Sequence, residues 1–176
     1  MTWNIWNRRN KLLREKTLLN EQSVINSSME FKNVGREAAI GIVACDHHGF
    51  VVGGVARKVA SPQNAESAEA MTFSLGIQFA CEQGWDRVII EGDAFSIINR
   101  INIQHDDLTV VGLSLRETKA VLDIHPNFKV CYTNRLANRV AHSLAQWALS
   151  IDNLVWFYFD EPNCIRSDVI LDAIGI

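Results

Sequence analysis

Apolar residues in this chain form short blocks whose spacing changes between that of strands and that of helices. Residues 38–45 and 50–56 are apolar runs on either side of the turn Asp46-His-His-Gly49, and they predict an antiparallel hairpin. A helix is predicted over about 65–83, because apolar residues recur there every three or four positions and Gly84 ends the pattern. These blocks are typical of a folded α/β domain.

The alternation of strands and helices continues through the middle of the chain. The run from Val88 to Glu91 predicts a buried strand, and residues 128–132 predict another. Helices are predicted over 94–101, 113–124 and 135–148. The order β-β-α-β-α-α-β-α indicates an α/β fold, in which helices cover both faces of a mixed sheet.

The two ends of the chain depart from this pattern. Residues 2–23 combine Trp and Leu with basic residues and predict an irregular amphipathic helix, while residues 20–37 have the composition of a linker. The segment after the last helix either pads the outside of the sheet or is only partly ordered. We therefore expect an N-terminal helix and linker at 1–34, a folded domain at 35–150 and a C-terminal tail at 151–176.

Composition narrows the class of protein. The 176 residues are 48% hydrophobic and 21% charged, which is ordinary for a globular domain with a real core. A net charge of −3 argues against strong nonspecific binding to nucleic acid, although it leaves room for a local basic patch. No apolar run approaches roughly 18 residues, so no membrane span is expected. The four scattered cysteines predict free thiols of a reducing intracellular compartment, nucleus or cytoplasm, rather than a zinc site.

Two acidic residues stand where the predicted elements would bring them to one edge of the sheet. Asp93 follows the strand at 88–91, at the end where open α/β sheets bind ligands, and it shares a strand face with Glu91. Glu69 lies one helical turn before Phe73 on the core-facing stripe, which is an unusual position for an acid. The alternatives are that Asp93 caps the next helix and that Glu69 benefits from the dipole of its own helix.

Four segments in this order resemble the plant ribonuclease H-like domain, which is found at the end of non-LTR retroelement reverse transcriptases and in free-standing genes. The segments are Ile40-Gly-Ile-Val-Ala-Cys-Asp-His-His-Gly49, Asn64-Ala-Glu-Ser-Ala-Glu-Ala70, Val88-Ile-Ile-Glu-Gly-Asp93 and Arg135-Leu-Ala-Asn-Arg-Val-Ala-His-Ser-Leu-Ala145. Each is weak alone, but the series is specific and covers about residues 35–150. The resemblance implies a type 1 ribonuclease H-like fold, with a mixed sheet and helices on both faces.

The same resemblance implies an activity, a cofactor and a set of functional residues. The activity is cleavage of the RNA strand of an RNA–DNA hybrid by carboxylates that hold two Mg²⁺ ions, with Mn²⁺ as an alternative. The matching positions are Glu69 and Asp93 for the metal and for catalysis, His142 for catalysis, and Arg135, Asn138 and Arg139 for nucleic-acid binding. The implied partner is an RNA–DNA hybrid or another nucleic acid.

Two departures from the family pattern weaken the expected active site. The family's first strand carries hydrophobic-Asn-hydrophobic-Asp-Gly/Ala, whereas Met29 to Glu37 before the hairpin has no Asp and no apolar run. His142 stands where the family has Asp or, in many plant members, His, and a neutral imidazole is a poor Mg²⁺ ligand. Two such ions carry four positive charges, against two negative charges from Glu69 and Asp93, with Glu91 as a third nearby. We therefore expect a truncated or missing first strand and impaired catalysis.

Two other functions remain open at this point. A degenerate binding module would grip nucleic acid through its phosphates without cutting it. The candidate phosphate contacts are Lys11, Arg14, Arg57, Lys58, Arg100 and Arg139. Alternatively, the chain is a retroelement remnant whose Trp-rich N-terminal helix serves as a protein-interaction element.

Overall fold

The computed structural model describes residues 23–32, 37–60, 65–103 and 107–173. These residues form a six-stranded mixed sheet with helices on both faces, which confirms the predicted fold class. The helix predicted over residues 2–23 lies outside the described residues, apart from its last position. Within the described part of the chain, no helix is both long and apolar enough to cross a bilayer.

The element bounds agree with the sequence pattern in the middle of the chain and differ toward its ends. The strands are β1 Ser23–Lys32, β2 Glu37–Cys45, β3 Val51–Ala60, β4 Val88–Gly92, β5 Phe128–Tyr132 and β6 Val155–Phe157. The helices are α1 Ala65–Glu82, α2 Phe95–Asn102, α3 Val110–Ile124, α4 Arg139–Ala148 and α5 Arg166–Ala173. The strands lie in the order β5-β4-β1-β2-β3-β6.

The central strand of the sheet, β1, is formed by a segment that the composition assigned to a linker. It pairs antiparallel with β2 and parallel with β4. The expectation of a truncated or missing first strand is therefore wrong, and so is the linker prediction for residues 23–32. Polar residues at 26–28 interrupt the apolar pattern of this strand. Pairing on both sides satisfies its backbone groups, so tertiary context overrides a weak local propensity.

Two clusters of buried apolar side chains lie on opposite faces of the sheet. One includes Phe73 of α1 and Leu115 of α3, packed against Ile90 of β4. The other includes Leu144 of α4 and the fully buried Ile165 just before α5. The C-terminal tail therefore joins the fold, since α5 packs on α4 and β6 extends the sheet beside β3.

Helix α4 begins later than its apolar pattern predicts. It starts at Arg139, whereas residues 135–138 form a turn. The side chain of Asn134 accepts a hydrogen bond from the backbone N–H of Ala137 at 2.9 Å, a use typical of Asn in turns. This turn leads the chain from the end of β5 to Asn138, the N-cap residue of α4.

Candidate functional site

Asp93 lies directly after β4, at the carboxyl end of the strand, and is half-buried. Its Oδ1 accepts a hydrogen bond from Nδ2 of Asn138 at 3.3 Å, and Asn138 itself is completely buried (0% exposed). The N-cap residue of α2 is Ala94, and no side chain caps that helix. The helix-capping alternative for Asp93 is therefore wrong, and its carboxylate instead connects β4 to the start of α4.

The position of Asn138 depends on an unusually close approach of α4 to the sheet. A Cβ atom on Gly41 of β2 would clash with the carbonyl oxygen of Ala141 and would lie 2.5 Å from the backbone N of Ala145. Only glycine leaves room for the helix backbone at this point. The small residues of α4 and the missing side chain of Gly41 therefore set the distance between α4 and the sheet.

Glu69 lies in α1, which covers the face of the sheet opposite to α4. The ring of Phe73 packs where a Cβ atom on Gly92 would stand, with its Cζ 2.5 Å from that point. Glu69 lies one turn earlier on the same side of α1, about 6 Å along the helix axis, and is half-buried. Phe73 thus packs against Gly92, the residue that precedes Asp93.

His142 follows Asn138 by one turn of α4. Its Nδ1 lies 3.4 Å from Nη2 of Arg135, and its Nε2 lies 3.3 Å from Nε2 of Gln146. A guanidinium group has no acceptor, so a hydrogen bond with Arg135 makes Nδ1 of the imidazole the acceptor. The half-buried His142 therefore helps to hold the side chain of Arg135, which is exposed in the turn before α4.

Arg139 is directed toward α5. Its Nε lies 3.4 Å from Oδ1 of Asp168, and the hydroxyl of Ser143 donates to Oδ2 of the same carboxylate at 2.6 Å. Asp168 thus neutralises the arginine and joins α5 to α4. Arg139 follows Asn138 in the sequence, but its guanidinium group forms an ion pair that joins α4 to α5.

Two other predicted phosphate contacts are also ion-paired. Arg100 lies 3.5 Å from Glu66 and 3.4 Å from Asp107, while Lys58 lies 2.8 Å from Glu37. A phosphate would have to compete with these carboxylates for either cation. Of the remaining candidates, Arg57 is exposed, and Lys11 and Arg14 lie outside the described residues.

The backbone position beside Asp93 on the central strand belongs to Ser28. Ser27 of β1 is the register partner of Gly92, and Ser28 is the register partner of Gly41 on the other side. Ser28 therefore lies between the end of β4 and the point where α4 approaches β2. Among the described residues, no group of three or more His, Cys, Asp or Glu side chains is arranged to hold a metal ion.

A groove of about 260 Å³ lies elsewhere, between α1 and the β3–β6 edge of the sheet. Phe79 and Trp156 contribute apolar surface to it, and Arg57 lies at its wall. Strands β1 and β2 separate this edge from β4, so the groove is distinct from the site around Asp93.

Reasoning from the sequence missed two features of the site. The first is Asp168, whose partners on α4 lie 25 and 29 positions away along the chain and leave no local pattern. The second is an exposed aromatic pair, Phe95 and Tyr132, beside Asp93. The sequence signal that could have revealed this pair is Phe95, which follows Asp93 by two residues after the predicted strand.

Comparison with known proteins is consistent with this architecture. A family model described as reverse transcriptase-like matches residues 26–148, which includes most of β1. RNase H1 from the halophilic archaeon Halobacterium salinarum is similar in structure, with a TM-score of 0.57 and 19% identity over 74% of this chain and 97% of that one. LC11-RNase H1, isolated from compost and solved with an RNA/DNA hybrid, has a TM-score of 0.63 and 15% identity over 73% and 96% of the two chains.

The prototype foamy virus protease–reverse transcriptase is also similar, with a TM-score of 0.60 and 15% identity over 76% of this chain and 21% of that one. Among curated protein sequences, none matches the chain. At these identities the solved structures establish the ribonuclease H-like fold alone.

Proposed function

Because the chain belongs to the reverse transcriptase-like family and has the ribonuclease H-like fold, we propose that it is a nucleic-acid-binding domain that binds RNA–DNA hybrids. We propose further that it has lost most of the hybrid-cleaving activity. The observation that carries this proposal is the contrast at the end of β4. There Asp93 is held by Asn138, while the adjacent position of the central strand is Ser28.

We align Ser28 with the first metal-binding aspartate of the family pattern. Aligned on Asn26, the family motif hydrophobic-Asn-hydrophobic-Asp-Gly/Ala agrees with this chain at positions 25 and 26 and differs from it at positions 27–29, with Ser28 at the motif's Asp. The sheet register supports this alignment, because Ser27 pairs with Gly92, so that Ser28 and Asp93 are the next positions of the two strands. In this alignment the chain has a serine at the position where the family pattern has an aspartate.

The remaining side chains do not fit a pair of magnesium ions. Mg²⁺ requires near-octahedral oxygen coordination and is held through carboxylates. The proposed ligands Glu69 and Asp93 supply two negative charges, or three with Glu91, against four positive ones, and Nδ1 of His142 lies 3.4 Å from the guanidinium group of Arg135. Losing metal ligands removes the groups on which this hydrolysis depends. We therefore expect little cleavage from the natural chain, with Mg²⁺ or with Mn²⁺.

Binding to a hybrid requires less than cutting it. A duplex that contains RNA is recognised largely through its shape, its phosphates and its 2′-hydroxyls. Arg135 is exposed at the mouth of the site and provides a cation for a phosphate, while buried Asn138 keeps the turn that carries Arg135 next to β4. LC11-RNase H1, which shares the fold, was solved in complex with an RNA/DNA hybrid.

The test is to restore the missing carboxylate with Ser28→Asp and to measure cleavage of a labelled RNA–DNA hybrid in Mg²⁺ and in Mn²⁺. We expect Ser28→Asp to cleave at least about tenfold faster than the natural chain, which corresponds to an activation free energy lower by about 1.36 kcal/mol. Ser28→Asn is the matched control, since it has nearly the same shape without the charge. Adding Asp93→Asn to Ser28→Asp should abolish the gain.

Hybrid binding by the natural chain is measured separately, in EDTA, by fluorescence anisotropy. If the natural chain already cleaves as fast as Ser28→Asp, the proposal that the missing carboxylate impairs cleavage is wrong. If it does not bind the hybrid at low salt, nucleic-acid binding is wrong as well. Equal rates for Ser28→Asp and Ser28→Asn would show that position 28 is not the missing ligand.

A further inference from the structure

Phe95 and Tyr132 form an aromatic pair that the fold leaves open to solvent. Their rings are 5.6 Å apart between centroids at 88°, an edge-to-face arrangement. Phe95 is 63% exposed and Tyr132 is 51% exposed. The two rings come from different elements, the first residue of α2 and the last residue of β5, so the tertiary structure has brought them together.

This pair lies beside Asp93. Phe95 follows Asp93 by two residues, and its backbone N–H donates to the carbonyl of Asp93 at 3.1 Å. Tyr132 is the register partner of Gly92 on the neighbouring strand, and the N–H of Thr133 donates to the carbonyl of Gly92 at 2.9 Å. Backbone hydrogen bonds on both sides therefore fix the main chain that carries the two rings relative to the end of β4.

The chemistry of the surroundings suits a nucleotide. Rings that stand in an edge-to-face pair leave at least one ring face available for another flat or apolar group. The exposed Arg135 lies three residues after Tyr132 along the chain, in the turn that follows β5, and carries a positive charge. Aromatic faces next to a basic side chain are the combination by which proteins hold sugars and bases while their phosphates are neutralised.

We propose that Phe95 and Tyr132 form an apolar contact for one nucleotide of the bound hybrid, packing on its sugar and base edge beside Asp93. The inference rests on the proposed function, because it assumes that nucleic acid occupies this edge of the sheet. The contact is independent of sequence, since every nucleotide presents a sugar and a base edge. It also carries no charge, which separates its signature from that of a phosphate contact.

The test uses the full chain and a fluorescein-labelled RNA–DNA hybrid, with anisotropy measured in EDTA so that cleavage plays no part. Phe95→Ala and Tyr132→Ala should each weaken binding about five- to tenfold, at the lower end of the effect of removing an aromatic platform. Tyr132→Phe keeps the ring and should bind within about twofold of the natural chain. Tyr158→Ala is the matched control and should leave the affinity unchanged. Tyr158 is 43% exposed and lies just after β6, the edge strand on the opposite side of the sheet from β5.

The salt dependence distinguishes an apolar contact from a general loss of the binding surface. Removing a ring leaves the number of phosphate contacts intact, so the slope of log K against log salt should stay the same. Arg135→Ala should instead flatten that slope by about one. A flattened slope for the Phe95 variant would contradict the proposal.

The outcomes separate this inference from the proposed function. If the natural chain does not bind the hybrid, the proposed function fails. If it binds and both alanine variants bind equally well, the proposed function stands and the inference is overturned. If either alanine variant loses its circular dichroism signal, the glutamine variant of the same residue, Phe95→Gln or Tyr132→Gln, takes its place. Glutamine keeps the length of the side chain but replaces the apolar ring with a polar group, and binding as tight as that of the natural chain would overturn the inference.

Discussion

Replacing Gly41 with alanine tests how closely α4 must approach the sheet. The new Cβ would lie 2.5 Å from the backbone N of Ala145, about 0.9 Å short of ordinary contact at 3.4 Å, and it would also clash with the carbonyl of Ala141. Both opposing atoms belong to the helix backbone, so no side chain can rotate away. The helix must therefore move outward by nearly 1 Å.

The cost of that movement follows from what α4 buries. Val140, Leu144 and Ala148 are almost fully buried on this face, and a gap of 0.5–1 Å forfeits a quarter to a half of each dispersion contact. Overpacking a dense core costs about 1–3 kcal/mol and occasionally more. Because backbone opposes backbone here, we expect about 3 kcal/mol, which lowers the Tm of a chain of this size by roughly 6–12 °C.

The assay is thermal unfolding followed by circular dichroism, with Gly84→Ala as the matched control. Gly84 has φ of +68°, but a Cβ there meets nothing within 4 Å. The control therefore carries only the left-handed backbone penalty of about 1–2 kcal/mol. Hybrid affinity should fall in Gly41→Ala alone, because the displaced α4 carries Asn138 away from Asp93. A Tm for Gly41→Ala at or above that of Gly84→Ala would refute the packing argument.

Two further predictions concern the carboxylates of Asp168 and Asp107. Asp168→Asn removes the carboxylate that lies 3.4 Å from Nε of Arg139, so hybrid binding at low salt should tighten and the salt slope should steepen by about one. Adding Arg139→Ala to this variant should remove the gain, and an unchanged slope for Asp168→Asn would contradict the prediction. Hydrogen bonds from Thr109 hold the pKa of Asp107 below its ordinary 3.8. The ionised carboxylate of Asp107 therefore stabilises the folded chain above that pH, and this stabilisation is lost as the pH falls through the pKa of Asp107 in the folded state. Asp107→Asn should therefore lower the Tm near about pH 7 and by much less near about pH 2, and an equal loss at both would count against it.

Local periodicity and the four segments quoted above were sufficient for much of the fold. Strand β5 lies at the predicted residues 128–132, and α1 and β4 lie within a residue of their predicted bounds. These elements repeat their apolar positions every two or 3.6 residues, so neighbouring residues alone carry the signal. The same information placed Glu69 and Asp93 at one edge of the sheet as a prediction.

Only the tertiary structure decided the central strand and the partners within the candidate site. β1 is identified by its pairing with β2 and β4 rather than by its own residues, and this pairing is what puts Ser28 beside Asp93. The hydrogen bond from Asn138 to Asp93 spans 45 residues of sequence, and the neutralisation of Arg139 depends on a helix beyond the region matched by the family model. Periodicity reports only which face of an element is apolar, whereas strand pairing, ion pairs and side-chain hydrogen bonds join groups that are distant in sequence, so their identity depends on how the whole chain packs.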